Sequence, residues 1–264
     1  MSDDAATSGA NLVEIFSSVQ GEGVYVGATT LFVRFGGCDL RCRWCDSPHT
    51  WEPASHCRIE AGRGSGTFLT RPNPVALGEI VSAAEALEVE AHEFISLTGG
   101  EPLLQPAAVR EISRAVRARG VRTLLETHGL AEGGLEAVIE EIDVVSMDWK
   151  LSSDVRRVSD ARHGPVEPFH AAHEQFLKVA RRAPEVMVKL VVTPRSGDEE
   201  IDEMVSKLAA TAPEATLVIQ PVTPFGRVAE TPGAERLLAL CSKLSAGFPK
   251  VRLIPQTHKI YGAP

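Results

Sequence analysis

The 264-residue sequence predicts an α/β fold with parallel strands, either a barrel or a doubly wound sheet. Three observations predict it. β-like runs alternate with helix-like stretches along most of the chain. The runs are rich in Val, Leu, Ile and Thr, as strands buried on both faces require. Segments carrying chemical groups fall just beyond the carboxyl ends of those runs, where ligands bind in such folds. The runs are 29–35, 94–98, 121–127, 143–148, 186–192, 216–222 and 251–255. Helical patterns lie near 75–91, 107–119, 134–141, 170–182, 198–211 and 233–246, with Pro74 starting the first and Gly120 stopping the second. Residues 1–10 read as a disordered lead, the glycine-rich 61–68 as a mobile loop within a variable segment 52–74, and 1–264 as one domain.

Hydrophobic residues make up 44% of the chain, enough for a core, and the formal charge is −8. An acidic surface repels phosphate backbones, so nucleic acid is not an expected partner. No apolar run nears 18 residues, so no membrane span is expected, and the N-terminus lacks the basic and apolar regions of a signal peptide. The five cysteines include three within eight residues: Cys38, Cys42 and Cys45. That bunching argues against a disulfide framework and for a metal site in a reducing, cytoplasmic setting. Cys57 and Cys241 read as bystanders.

The three cysteines sit in GGCDLRCRWCDSPHTW, after the first run. Thiolates bind iron–sulfur clusters and soft metals. Three of them hold three irons of a cubane and leave the fourth iron open; a structural zinc needs four closed ligands, with His49 or His56 as the fourth. Further along, Thr98-Gly99-Gly100-Glu101-Pro102 ends the second run. It reads either as a strand-end turn or as a glycine cradle where backbone approaches a ligand. Glu126 ends the third run, Asp148-Trp149-Lys150 the fourth and Thr193 the fifth. Arg34 interrupts the apolar strand LFVRF and calls for a buried partner, because lone buried charges are costly.

C-x3-C-x2-C with Trp44 before its last cysteine, followed by Gly-Gly-Glu, resembles the radical S-adenosylmethionine (SAM) superfamily. Residues 14–51 (EIFSSVQGEG through CDSPHTW), TGGEP, LETHG, VIQP (218–221) and the ending PQTHKIYGAP resemble the 7-carboxy-7-deazaguanine synthase family from about Glu14 to Pro264. The resemblance implies a partial (β/α)6-type radical SAM barrel with its cluster loop after the first barrel strand. It implies conversion of 6-carboxy-5,6,7,8-tetrahydropterin to 7-carboxy-7-deazaguanine with loss of ammonia, begun by hydrogen abstraction from C6 by a SAM-derived radical. The implied cofactors are a 4Fe–4S cluster on Cys38, Cys42 and Cys45, SAM, and Mg2+. The implied SAM contacts are Trp44, Cys45, Asp46, Gly99, Gly100, Glu101, Glu126, Asp148, Trp149, Lys150 and Thr193. Substrate contacts fall on Val19, Gln20, Gly21, Arg34, Thr98 and the terminal Pro264, with Arg34 forking onto the carboxylate. The partners implied are the small-molecule substrate, an external electron donor such as flavodoxin or ferredoxin, and a second copy in a homodimer.

Two departures from that family stand out. Ser47 occupies the place of a Thr whose hydroxyl contacts Mg2+, and Asp148-Trp149-Lys150 replaces a Ser-Pro-Lys-like element. His258 and Lys259 belong to the resemblance without a role that physics fixes. The alternatives are another radical SAM enzyme, such as a glycyl-radical activase, and a structural zinc or electron-transfer protein.

Overall fold

The computed structural model describes residues 9–161 and 164–262. Its strands are β1 (Gly9–Ala10), β2 (Leu12–Val19), β3 (Thr29–Phe35), β4 (Leu40–Cys42), β5 (His56–Glu60), β6 (Phe68–Pro72), β7 (Val75–Ala76), β8 (Phe94–Gly99), β9 (Arg122–Thr127), β10 (Val144–Asp148), β11 (Val155–Arg157), β12 (Glu185–Val192), β13 (Thr216–Pro221) and β14 (Val251–Leu253). Its helices are α1 (Leu77–Ala86), α2 (Pro106–Arg117), α3 (Glu132–Glu136), α4 (His170–Ala180), α5 (Asp198–Thr211), α6 (Ala234–Gly247) and α7 (His258–Tyr261). Ten strands form one open sheet in the order β14-β13-β12-β10-β9-β8-β3-β2-β5-β6. Every pairing from β3 to β14 is parallel, as the strand–helix alternation predicts. The sheet does not close on itself, in keeping with a partial barrel.

Alternation along the strands sorts the side chains into two layers. Ile95, Leu97, Leu125, Val145, Met147, Val188, Leu190, Leu217 and Ile219 join the main core with helix residues such as Val109, Ile112, Met204 and Leu240. On α2 the buried Val109, Ile112, Ser113 and Val116 recur at the helical period. The first residues of the other sheet face, Phe94, Leu124, Val144, Met187 and Val218, make a separate apolar floor with Tyr25. Two steps further along each strand that same face turns polar, with Ser96, Glu126, Ser146, Lys189 and Gln220 all buried or nearly so. The strands are thus apolar on both faces near their starts and polar on one face near their ends, so a polar cavity opens at their carboxyl ends.

Four expectations need correcting. The disorder expected for 1–10 does not hold for its last two residues: Gly9–Ala10 pairs with Val75–Ala76, and Ala10 is fully buried. Pro74 therefore precedes a strand, and the helix starts at Leu77. The segment 52–74 holds an antiparallel hairpin, β5 with β6, added to the sheet edge beside β2. Within 61–68, Gly64 and Gly66 have positive φ and make its turn. The strand β2 went unread because EIFSSV mixes polar and apolar residues; it pairs with β3 and β5 and packs mainly its early half inward.

Candidate functional site

The cavity has a volume of about 410 Å3, within the range of small-molecule sites. Cys38, Cys42 and Cys45, all free thiols, line it together. They sit on the loop after β3, and β4 pins that loop by pairing Cys42 with Val155. Burial pushes the Cys38 thiol up to about 11 and the Cys42 thiol up to about 12. Both are neutral thiols until a metal takes them, and metal binding would release their protons. Among the described residues, no three His, Cys, Asp or Glu side chains converge as the ligands of one metal ion would. Cubane thiolates sit on separate irons and need no such convergence.

Gly99 and Gly100 face the cavity, but their missing side chains serve the cysteine loop. Gly99 has φ +126°, and a Cβ there would overlap the Phe35 backbone; a Cβ on Gly100 would overlap the Gly37 carbonyl oxygen. The chain instead hydrogen-bonds across: Gly100 N–H donates to Phe35 O at 3.0 Å and Glu101 N–H to Gly37 O at 2.8 Å. The two-glycine strand end and the loop carrying Cys38 are thus fixed against each other.

Three expected cofactor contacts are spent elsewhere. Glu101 is fully buried and does not line the cavity. Its carboxylate accepts from Leu103 N at 3.0 Å, Thr127 Oγ1 at 2.8 Å and His128 N at 2.8 Å, tying the ends of β8 and β9. Trp149 turns into the core, where its Nε1 donates to His170 Nδ1 at 3.0 Å. Thr193 is buried, does not line the cavity, and donates to Asp154 Oδ2 at 2.5 Å. In each case alternation sends the side chain to the face away from the cavity, or a turn captures it. Glu126 does line the cavity, but it accepts from Gln20 Nε2 at 2.9 Å, Ser96 Oγ at 2.6 Å and Thr98 Oγ1 at 3.3 Å. It is grouped with the expected substrate contacts rather than with the glycine cradle.

The remaining expected residues converge: Val19, Gln20, Gly21, Arg34, Trp44, Asp46, Ser47, Thr98, Asp148 and Lys150 all line the cavity. Arg34 has the buried partner its setting demanded, Glu14 Oε1 at 2.9 Å. Lys150 lies 4.7 Å from the Trp44 ring centroid and 2.7 Å from Asp148. Burial opposes the charge on Asp148, yet Lys150 and Lys189 outweigh it and hold the carboxyl below its usual range. Pro264 lies outside the described residues.

Sequence reasoning missed Glu22, Lys189, Gln220, Gln256 and the place of His258 and Lys259. Lys189 is buried between Glu22 and Asp148. Gln256 Nε2 reaches Glu22 Oε1 at 2.6 Å and Asp46 Oδ2 at 3.2 Å, and Lys259 reaches Asp46 at 3.1 Å. Thr257 N–H donates to Gly21 O at 2.9 Å, and the His258 ring occupies the space a Gly21 side chain would take. QTHK is therefore the cover of the cavity, clasping QGE. Polar residues at alternate positions in apolar strands were the available signal for Lys189 and Gln220. Gln220 Oε1 is buried at the cavity wall with no hydrogen-bond partner among the described residues. A lone buried acceptor and three free thiols around one cavity fit a bound SAM and cluster, whose amino group and irons would satisfy them.

Comparison with known proteins is consistent with this geometry. The radical SAM superfamily description matches residues 32–208. A 7-carboxy-7-deazaguanine synthase of Geobacter sulfurreducens is 36% identical over 261 residues, covering 96% of this chain and 98% of its own. One from Methanopyrus kandleri is 35% identical over 259 residues, covering 96% and 94%. Among solved structures, the crystal structure of QueE from Escherichia coli aligns with a TM-score of 0.60 at 19% identity, covering 94% of both chains. At that identity the likeness speaks for the fold. A radical SAM methyltransferase from Sphaerobacter thermophilus aligns with a TM-score of 0.54 at 17% identity, covering 86% of this chain and 66% of that one.

Proposed function

The chain belongs to the radical SAM superfamily and, within it, to the 7-carboxy-7-deazaguanine synthases, and from that membership we propose how its cavity is used. The reaction is the conversion of 6-carboxy-5,6,7,8-tetrahydropterin to 7-carboxy-7-deazaguanine with loss of ammonia, a carbon–nitrogen lyase step toward queuosine and other 7-deazapurines. The observation that supports it best is a single cavity shared by Cys38, Cys42 and Cys45 with Gln20, Arg34, Thr98 and Glu126.

Membership in the superfamily brings a 4Fe–4S cluster and SAM. Bound together, they supply the one-electron cleavage of a C–S bond that starts radical chemistry. Cys38, Cys42 and Cys45 hold three irons. The Gly99–Gly100 backbone, Asp148, Lys150 and Gln220 stand where they can orient the cofactor's polar groups. Glu126 offers carboxylate oxygens to the N–H edge of the pterin, with Gln20 and Thr98 steadying it. Arg34 keeps its terminal nitrogens for the 6-carboxylate, since Glu14 occupies only Nε. QTHK narrows the opening by clasping Glu22 and Asp46.

Mg2+ belongs at Ser47. Its hydroxyl lies 3.1 Å from Asp46 Oδ1, and Mg2+ typically takes one or two protein oxygens and fills its remaining positions with water and substrate. The enzyme works in the cytoplasm as a homodimer and takes its electron from an external flavodoxin or ferredoxin. Anaerobic reconstitution with iron and sulfide, followed by SAM, a reductant and 6-carboxytetrahydropterin, tests the reading. Mass spectrometry is expected to show 7-carboxy-7-deazaguanine, with Mg2+ raising the rate in wild type and less so in Ser47→Ala. SAM cleavage without that product would overturn it.

A further inference from the structure

A row of four polar side chains crosses one end of the sheet. Register pairs Arg58 on β5 with Glu14 on β2, Glu14 with Arg34 on β3, and Arg34 with Thr98 on β8. All four line the cavity. Glu14, only 7% exposed at its side chain, accepts from Arg34 Nε at 2.9 Å and from Arg58 Nη2 at 2.5 Å. One carboxylate balances one guanidinium, so the second positive charge is surplus at the cavity wall. Each guanidinium is steadied by a ring: Arg34 lies 5.6 Å from the Phe16 centroid and Arg58 4.7 Å from that of Phe68. Among the described residues the terminal nitrogens of Arg34 have no hydrogen-bond partner. A surplus charge with free, planar donors facing a cavity is a receptor for an anion.

We infer that Arg58 is a second specificity-determining contact for the substrate's carboxylate, forming with Arg34 a two-arginine clamp held by Glu14; the inference rests on the assignment of Arg34 to that carboxylate. The hairpin β5–β6 then has a function, which is to carry Arg58 and its supporting Phe68 to the edge of the site.

The test is equilibrium binding of two stable fluorescent probes, 6-carboxypterin and pterin, to anaerobic holoenzyme with SAM. Wild type favours the carboxylated probe. Arg58→Ala cuts that preference at least about tenfold, about 1.4 kcal/mol, and leaves affinity for pterin unchanged. Arg58→Lys restores only part of it, because an ammonium lacks the planar fork. Iron content at the wild-type level shows that each variant is folded. An unchanged preference in Arg58→Ala overturns the inference. Arg34→Ala, measured alongside, separates the two levels. If it alone loses the preference, the clamp has one arm and the reaction assignment stands. If neither variant loses it, the assignment of Arg34 falls too.

Discussion

Glu101 carries the clearest lesson at the scale of single residues. In the sequence it belongs to a motif read as a cofactor cradle; in the structure its carboxylate satisfies two backbone N–H groups and a threonine hydroxyl with no exposure. Hydrogen bonds to a charged group are worth about 1.5–3 kcal/mol each, and removing the acceptor strands its buried donors. Glu101→Ala is therefore expected to destabilise the cluster-free protein by about 3 kcal/mol or more, read from urea denaturation. A side chain acting only on SAM would leave that curve unmoved. His173 gives a pH dependence of definite sign. Burial holds its ring well below the usual 6.5, and as a neutral ring it accepts from Lys150 N at 2.9 Å and donates to Gly129 O at 2.9 Å. The unfolded chain takes up the proton that the folded one refuses. Stability is therefore full above about 6.5 and falls as the pH drops below it, by up to about 1.4 kcal/mol per pH unit for one proton. His170, also lowered by burial, adds a slope of the same sign. His173→Gln should remove part of the slope between pH 6.5 and 5 and leave the part due to His170; an unchanged slope would show that His173 titrates freely.

Among the elements, the turn from β8 into the following loop decides whether the cysteines can be held. Gly100→Ala places a methyl where the Gly37 carbonyl oxygen now sits, and Gly37 adjoins Cys38. Overpacking at such a contact typically costs about 1–3 kcal/mol and shifts backbone. Reconstituted Gly100→Ala is expected to hold well under the wild-type iron per chain while its far-ultraviolet circular dichroism stays native; full iron loading would mean the loop tolerates the shift. Most of the parallel strands and the longer helices were legible because they are locally consistent, α5 at 198–211 most cleanly, whereas the helix expected at 134–141 is a five-residue α3 followed by a separate turn at 139–141. The hairpin β5–β6 was not, since its residues are polar and half-exposed and its place at the sheet edge comes from pairing with β2. Likewise the cysteines and TGGEP could be read as chemistry from spacing alone. Lys189, Gln256 and His258 acquire theirs from neighbours distant in sequence, such as Glu22, and for Lys189 also Asp148.

For the molecule as a whole, the sheet remains open and its site is finished by residues that follow its last strand. Beyond β14, Gln256, Thr257, His258 and Lys259 reach back to Gly21, Glu22 and Asp46. Deleting 256–264 removes no core strand, so the truncated protein is expected to fold and take up iron but to show a KM for the pterin raised at least about tenfold, as loss of several partly buried polar contacts at the cavity mouth implies. An unchanged KM would mean that the cover is ornamental.

The same arrangement fixes an order of events during synthesis. The three thiols and the strands β2, β3 and β8 lie before residue 100, whereas the cover comes from residues 256–259, more than 150 residues later. A growing chain thus exposes its three loop thiols on an uncovered surface well before the cover is made, and domains begin folding from their N-terminal side. Assembly machinery delivering iron and sulfide meets an open dish at that stage, and residues made later draw its rim inward.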